Sequence, residues 1–406
     1  MTLIAESELK HYVQPLLCTD ELPAREVFIA ATFSQLCEPG DRSFAALGEP
    51  LGADRLLELL IARADAQTVL AMLEPIRVQE VEQVFEQPFA EIWHGSCQRW
   101  LPRLNRTDVF ASLDQAKALG ARLVPRFSQF YPAGLEDLGD GQPPLLWVLG
   151  DAGLLNKPAM VSIVGSRNTS SYGRAVASDL GVVAADNGII TVSGGAFGID
   201  ACVHQSTISA GGQTIAAMAG GIGRLYPPSN KPLLESVANT GALFSEMPPG
   251  VAPAKWRFLM RNRLIAAMGR ATVVVQAGLK SGSINTANTA LELGRRVAVV
   301  PGPLNSAYSI GCHNFLNDKL GLVELIADAK NLPDLLGDRS VVGSLPPGLG
   351  TLETRALDAF VSGVNTFEQL LREAGLTSKE GMRALGSLEM EGLVTRVGSG
   401  YKRVAK

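Results

Sequence analysis

Apolar and polar residues follow a repeating pattern through the middle of the chain. From residue 159 onward, each short apolar run is followed by a Gly-rich turn or a stretch with helical spacing. The apolar runs are 160–164, 189–192, 214–218, 243–244, 272–275 and 296–300. Buried strands that alternate with helices form parallel sheets with a helix layer on each face. The pattern therefore predicts an α/β fold with a doubly wound, mostly parallel sheet.

The segments before this sheet have other patterns. Residues 1–105 carry apolar residues at helical spacing in 26–36 and 55–73, which predicts a helical N-terminal module. In 106–158, short apolar runs such as 145–149 are separated by prolines. That pattern is typical of a connector or of edge elements rather than of a core. We expect this connector to lead into the sheet and to form one domain with it, residues 106–336.

The C-terminal part of the chain begins with a linker. Residues 337–350 are rich in Gly, Pro and Ser and lack periodicity. Beyond them, 352–361 has helical spacing, and Thr366 and Thr377 are candidate N-caps of two further helices. The alternating segments LVTRV and YKRV flank the turn GSG and predict a hairpin. Three helices and a hairpin predict a winged-helix domain in 351–406.

Charge is unevenly distributed along the chain. The net charge is -4, but residues 1–158 carry 13 basic and 22 acidic side chains, whereas 159–320 carry 13 basic and 7 acidic ones. The net charge is therefore +6 in residues 159–320, the sheet segment, and -9 in residues 1–158. Such an asymmetry predicts that the sheet segment meets a polyanion.

Targeting and metal signals are missing from the sequence, which predicts a cytoplasmic protein without a bound metal or cofactor. No apolar stretch reaches the roughly 20 residues that cross a bilayer. Glu6, Glu8 and Lys10 occupy a region that is apolar in a signal peptide. The five cysteines are scattered and never spaced as CxxC, so neither a disulfide framework nor a zinc site is expected.

Two Gly-rich turns follow the first two predicted strands. The turn GSRN at 165–168 precedes a helix, and the backbone N–H groups of such turns bind anions. Arg167 adds a planar cation that suits phosphate oxygens, although a tight turn with a surface arginine has the same sequence. The fingerprint GxGxxG is absent, which argues against NAD. In the second turn, SGGAFGID at 193–200, Gly194 and Gly195 let a phosphodiester chain come close.

The densest basic cluster is KWRFLMRNR at 255–263, with four cations and two aromatic side chains in nine residues. Cations neutralise phosphates, and aromatic rings stack on unpaired bases. A basic cluster alone is more often a solvated helix start, here with Trp256 and Phe258 in the core. However, the turns at 281–286 and 301–303 also follow predicted strands. Several loops at one edge of a sheet favour a polymer over a small cofactor.

The motifs GSRNTSSYG, SGGAFGIDACVH, TIAAMAGGIGRLYPPSN, RNRLIAAM, SGSINTA and GRRVAVVPG occur in this order. Together they closely resemble the DNA-processing protein A (DprA/Smf) family over residues 145 to about 326. The resemblance implies a Rossmann-like core, homodimers, and a cytosolic, non-enzymatic protein that binds single-stranded DNA. It also implies a mediator that interacts with RecA and helps to load this recombinase past single-strand-binding protein during natural transformation.

The resemblance also implies particular DNA contacts. The family's DNA-contacting positions carry over onto Gly165, Ser166 and Arg167 and onto Arg261, Asn262 and Arg263. Lys255 and Arg257 are additional candidate phosphate contacts, and the second turn adds Gly194 and Gly195.

The sequence departs from the family at two positions. Phe197 stands where Lys or Arg is usual, and Gln276 stands where Glu is frequent. The missing cation at 197 removes one expected phosphate contact, although Phe197 is able to stack on a base instead.

An enzyme acting on a nucleoside monophosphate is the alternative. A related Rossmann-like family of phosphoribohydrolases also binds phosphates with Gly-rich strand ends. Its motif PGGxGTxxE is missing, and the nearest counterpart, SGSINTANTALE, retains Glu292 but not the paired glycines. Ser193, Asp200 and His204 form a conceivable hydrolytic set. Asp and His four residues apart more often brace a helix start, and a structural role is expected.

Overall fold

The computed structural model describes residues 4–337, 351–360, 364–390 and 392–404. The chain forms two compact units, Met1–Leu336 and Gly337–Lys406. Most of the predicted linker, residues 338–350, lies outside the described residues.

The first part of the larger unit consists of helices. They are α1 (Glu6–Tyr12), α2 (Ala24–Leu36), α3 (Ser43–Leu51), α4 (Ala53–Ala62), α5 (Ala66–Leu70), α6 (Pro75–Phe85), α7 (Phe89–Trp100) and α8 (Arg106–Ala118). The helical stretch expected at 55–73 is interrupted, because Arg63 has a left-handed φ of 52° and ends α4. α5 then begins at its own N-cap, Asp65, whose carboxylate accepts a hydrogen bond from the Thr68 N–H at 2.7 Å.

A large sheet follows the helices. Its strands are β1 (Arg122–Pro125), β2 (Leu145–Gly150), β3 (Met160–Val164), β4 (Ile190–Ser193), β5 (Thr214–Ala217), β6 (Ala242–Ser245), β7 (Ala271–Val274), β8 (Arg296–Val299) and β9 (Val323–Leu325). Their order is β1-β2-β6-β5-β4-β3-β7-β8-β9. The pairs from β6 to β9 are parallel, whereas β2 is antiparallel to both β1 and β6. The predicted mostly parallel α/β sheet is confirmed.

Helices cover both faces of this sheet. They are α9 (Ser171–Asp186), α10 (Ile199–Ser209), α11 (Lys231–Thr240), α12 (Lys255–Met268), α13 (Gly282–Glu292) and α14 (Ile310–Asp318). In β3, Val161 and Ile163 belong to the same buried cluster as Leu180 of α9, whereas Val164 packs with Leu264 of α12. A β-strand that is buried on both faces has apolar residues at successive positions. These strands could therefore be predicted from the apolar runs in the sequence. None of the helices in the described ranges is both long and apolar enough to span a bilayer.

The segment 106–158 differs from its prediction. β1 is an edge strand, as expected, but β2 is buried on both faces and lies in the core. Leu146 and Val148 join the main sheet core, whereas Leu145 and Trp147 pack against α2 and α8. The prolines suggested a connector, yet Pro143 and Pro144 come before the strand and leave its hydrogen-bond ladder intact.

The strand order reverses between β3 and β7. The chain runs outward from β3 through β4 and β5 to β6, and then returns to the other side of β3 as β7, β8 and β9. The loops that leave the carboxyl ends of β3 and β7 therefore diverge and open a crevice between them, where ligands bind in doubly wound sheets.

The smaller unit contains α15 (Thr351–Asp358), β10 (Val364–Thr366), α16 (Phe367–Ala374), α17 (Ser378–Met390), β11 (Val394–Val397) and β12 (Gly400–Arg403). The predicted hairpin is present as the antiparallel pair β11 and β12, and β10 pairs with the other side of β12. Thr366 caps α16, since its hydroxyl accepts from the Gln369 N–H at 3.3 Å. The end of the helix expected at 352–361 falls on residue 361, outside the described residues.

A buried histidine lies between α10 and the sheet. His204 is fully buried, and its Nδ1 lies 2.7 Å from the Thr214 hydroxyl. That hydroxyl accepts from the Thr191 hydroxyl and donates to the Thr191 carbonyl, so Nδ1 carries the proton. Nε2 has no hydrogen-bond partner among the residues that the structure describes. Burial, aided by the charge of Arg261, lowers the pKa of His204 to about 3.

We predict that His204 makes the fold sensitive to acid. Below its ordinary pKa of 6.5 the imidazole gains a proton in the unfolded chain but stays neutral in the folded chain. Stability conferred by the neutral ring is therefore lost as pH falls from 6.5 toward 3. Between pH 7.5 and 5, the free energy of unfolding in urea should fall by about 2 kcal/mol more for the wild type than for His204→Asn. Equal slopes would contradict the assignment.

Candidate functional site

A crevice of about 480 Å³ lies at the point where the strand order reverses. The loops after β3, β4 and β7, the start of α10 and the first three turns of α12 line it. The crevice brings together six of the predicted contacts: Gly165, Ser166, Arg167, Lys255, Arg261 and Asn262. The fold thus joins two segments that lie about 90 residues apart in the sequence.

The loop after β3 is held in place by backbone contacts and by one buried amide. A Cβ on Gly165 would lie 2.5 Å from Ile199, so the loop packs directly on the start of α10. Gln276 is buried, and its Oε1 accepts from the Thr169 hydroxyl at 2.7 Å and from the Ser170 N–H at 3.1 Å. The residue that departs from the family pattern therefore anchors the loop that carries Arg167.

Arg167 is an exposed cation at the mouth of the crevice. Its guanidinium lies 5.1 Å from the centroid of the Phe258 ring, and it makes no ion pair within the described part of the chain. The Phe258 ring in turn lies 5.5 Å from the ring of Tyr226. A cation over an aromatic face is favourable, and the contact keeps the charge and the ring adjacent.

The basic helix α12 spreads its side chains over different faces. Lys255, Phe258 and Asn262 recur at helical spacing and line the crevice. The Asn262 amide also donates to the Gly282 carbonyl at 3.1 Å, which ties α12 to the loop after β7. Trp256 is 45% exposed, so the core position considered for it is wrong.

Arg261 forms part of the crevice floor and is only 4% exposed. Its Nη1 donates to the Gly194 carbonyl at 2.8 Å and also to the Ala217 carbonyl. Burial lowers the pKa of Arg261 to about 10, an effect that the nearby Asp200 carboxylate opposes. The guanidinium is therefore charged at neutral pH, and its hydrogen bonds join the ends of β4 and β5.

Asp200 is the matching buried acid. Burial raises the pKa of its carboxyl, whereas Arg261 and two backbone N–H groups act in the opposite direction. Those donors are the N–H groups of Gly194, at 3.1 Å, and Ala196, at 3.4 Å. Asp200 thus braces the start of α10, which is the structural role expected for it.

Gly194 and Gly195 are buried by protein and do not line the crevice. A Cβ on Gly194 would lie 2.3 Å from the Arg261 guanidinium, and one on Gly195 would lie 2.7 Å from Leu234. The close approach expected at these glycines is made by Arg261 at Gly194 and by Leu234 at Gly195.

The two remaining arginines of the cluster point toward carboxylates. Arg257 donates to Glu38 at 2.9 and 3.1 Å, and Glu38 also accepts from Arg103. Arg263 pairs with Glu246, and the two side chains are 12% and 7% exposed. Neither arginine lines the crevice. They tie α12 to the N-terminal helices and to the loop after β6.

The crevice also contains residues that were not among the predicted contacts. Lys280 and Leu259 are two of them, and both are exposed. Lys280 directly precedes the turn at 281–286, so its position after a predicted strand was the available signal.

The geometry does not assemble a hydrolytic site from the proposed residues. Glu292 is exposed at the last position of α13 and does not line the crevice. The Ser193 hydroxyl donates to the Ile163 carbonyl at 2.7 Å, whereas the ring of His204 contacts Thr214. A hydroxyl–imidazole pair between Ser193 and His204 is therefore not formed.

Fold and site together define a doubly wound α/β protein with a cationic crevice at the switch point of its sheet. A family model described as DNA recombination-mediator protein A matches residues 122–333, more than half of the chain. This chain belongs to that family, as the resemblance predicted, and the family is one of DNA-processing recombination mediators.

Named relatives agree with the family match. The putative DNA processing protein DprA of Mycobacterium tuberculosis is 40% identical over 277 residues, covering 66% of this chain and 71% of the relative. The DNA processing protein DprA of Bacillus subtilis is 39% identical over 217 residues, covering 53% and 71%.

A solved structure shares the architecture. The X-ray structure of DNA processing protein A from Streptococcus pneumoniae superposes with a TM-score of 0.54 at 25% identity. The match covers 72% of this chain and 97% of that chain.

We predict that Arg261 and Arg167 respond differently to substitution. Arg261→Met leaves the Asp200 carboxylate buried without its cation, which should lower the free energy of unfolding by about 3 kcal/mol. The matched change Arg167→Met removes an exposed side chain and should leave it within about 0.5 kcal/mol of the wild type. Urea unfolding followed by circular dichroism measures both. A stable Arg261→Met protein would show that the buried pair is dispensable.

Proposed function

We propose that this protein binds single-stranded DNA in the crevice at the switch point of the sheet. The observation that carries the proposal is the arrangement around Phe258. This ring contacts Arg167, and Lys255 lines the same crevice with no ion-pair partner among the described residues. Cations that are not neutralised by the protein attract phosphates, and adjacent rings accept unstacked bases.

The aromatic side chains favour single strands over duplex DNA. Trp256 is 45% exposed and Phe197 is 46% exposed, and the Tyr226 ring lies against Phe258. Bases within a duplex are stacked on each other, whereas a single strand presents its bases to such rings. In this proposal Phe197 stacks on a base and replaces the phosphate contact that a cation at this position would make.

The proposed contacts are a subset of the predicted ones. Arg167, Lys255 and Asn262 contact the DNA strand from the crevice walls, and Gly165 and Ser166 line the crevice beside them. Arg257, Arg261 and Arg263 support α12 instead, because each is bonded to another part of the protein.

The first test measures affinity for a fluorescently labelled oligothymidylate. The wild type should bind with micromolar or tighter affinity that weakens as salt rises. Arg167→Gln removes one phosphate contact and should weaken binding about eightfold at 50 mM salt, because each contact contributes about 0.7 to the salt slope for single strands. Binding of the matched duplex should be weaker than that of the single strand.

The control for this measurement is Lys157→Gln. Lys157 is exposed and precedes β3, so it lies at the sheet end opposite the crevice. Its substitution should leave affinity and salt slope unchanged. If the wild-type protein does not bind the oligonucleotide at low salt, the proposed function is wrong.

We further propose that the protein acts as a homodimer in the cytoplasm and hands its strand to RecA during natural transformation. Membership of the recombination-mediator family supports this role. Such a mediator works on DNA covered by single-strand-binding protein, and it is not itself an enzyme.

The mediator role predicts an effect on RecA. On DNA coated with single-strand-binding protein, the wild type should shorten the lag before RecA hydrolyses ATP, since the strand is delivered directly. Arg167→Gln should lose this effect in proportion to its loss of DNA affinity. An unchanged lag with a wild type that binds DNA normally would remove the RecA step and leave DNA binding in place.

The domain division is also a proposal. It comprises a helical N-terminal module in 1–105, the Rossmann-like core in 106–336, a linker in 337–350 and a winged-helix domain in 351–406. Three helices beside the antiparallel β10, β11 and β12 support the winged-helix interpretation.

A further inference from the structure

The loop after β7 forms one wall of the crevice. It leaves the strand next to β3 and runs through Gly278 and Lys280 to the start of α13. Because the strand order reverses here, this loop and the loop that carries Arg167 diverge from neighbouring strands. Lys280 and Arg167 therefore belong to the two sides of one switch-point crevice.

The wall that carries Lys280 is fixed on both sides. Before it, the Ala277 N–H donates to the Tyr308 carbonyl at 2.9 Å. After it, the Gly282 carbonyl accepts from the Asn262 amide at 3.1 Å, and the Ser281 hydroxyl caps α13. An anchored backbone holds the base of the lysine in place, so a ligand contact orders only the side chain.

The charges of the crevice are not balanced by the protein. Its lining contains four cations, Arg167, Lys255, Lys280 and Arg261, and one acid, Asp200. Asp200 and Arg261 are both buried, and their opposite charges attract each other. Lys280 makes no ion pair or hydrogen bond with any residue in the described ranges. Three cations, Arg167, Lys255 and Lys280, thus share one crevice without an acidic partner in the described part of the chain.

An exposed lysine is ordinarily a solvated side chain. Here it shares a concave site with two other cations, and their mutual repulsion is relieved only by anions. In the proposed function, two of these cations, Arg167 and Lys255, already contact the DNA strand. A third cation on a separate wall fits a second phosphate of a chain molecule.

We propose that Lys280 contacts a phosphate of the bound strand from the β7 side of the crevice. The inference rests on the proposed binding of single-stranded DNA and adds a contact that neither the sequence motifs nor the family resemblance assigned. Arg167 and Lys255 hold the DNA strand from the loop after β3 and from α12, and Lys280 holds it from the loop after β7. The DNA strand therefore enters the crevice and does not lie across its rim.

The test compares Lys280→Gln, Lys280→Arg and the control Lys157→Gln in the full chain, with labelled oligothymidylate over a range of salt. Loss of one phosphate contact should lower the salt slope by about 0.7. Affinity should fall about eightfold at 50 mM salt and about threefold at 200 mM salt. Lys280→Arg keeps the charge and should bind like the wild type, as should Lys157→Gln.

The outcomes separate this inference from the proposed function. If Lys280→Gln keeps the wild-type slope while Arg167→Gln loses affinity, the lysine makes no contact and the DNA site stands without it. If Lys280→Gln loses affinity but keeps its slope, the residue acts on the loop and the phosphate contact is refuted. A wild type that does not bind the oligonucleotide overturns both proposals.

Discussion

The crevice depends on a charge buried beneath it. The Arg261 guanidinium donates to the carbonyls of Gly194 and Ala217, at the ends of two neighbouring strands, and the charge of the buried Asp200 carboxylate stabilises it. A buried charge that loses its partner costs several kcal/mol. The contacts of Arg261 therefore fix the position of α12 against the sheet. They thereby also fix where the Lys255 and Phe258 side chains of that helix lie.

This arrangement explains why the basic cluster could not be interpreted from sequence alone. Four cations in nine residues look like one surface, but successive residues of a helix point about 100° apart. Arg257 pairs with Glu38, which lies 219 residues earlier, and Arg263 pairs with Glu246. Such partners are visible only when the fold is known.

Other parts followed from the sequence because local physics decides them. The six apolar runs predicted as strands correspond to β3 through β8, since strands buried on both faces must be apolar throughout. The turn with Arg167 was recognised because a turn between strand and helix exposes N–H groups. By contrast, the burial of β2 depends on its antiparallel pairing with β6, a contact across about 95 residues. Local proline content carries no information about that pairing.

Glu38 connects the N-terminal helices to the helix α12. It follows α2, and its carboxylate accepts from Arg103 and from Arg257 at the start of α12. The leading helices are consequently part of the folding unit of the sheet rather than an appendage. A shortened chain that begins at the sheet would leave the Arg257 guanidinium unneutralised and the outer face of Trp147 exposed to water. A shortened form of this protein that keeps the fold therefore has to retain the helices before the sheet and can be shortened only on the C-terminal side of the sheet.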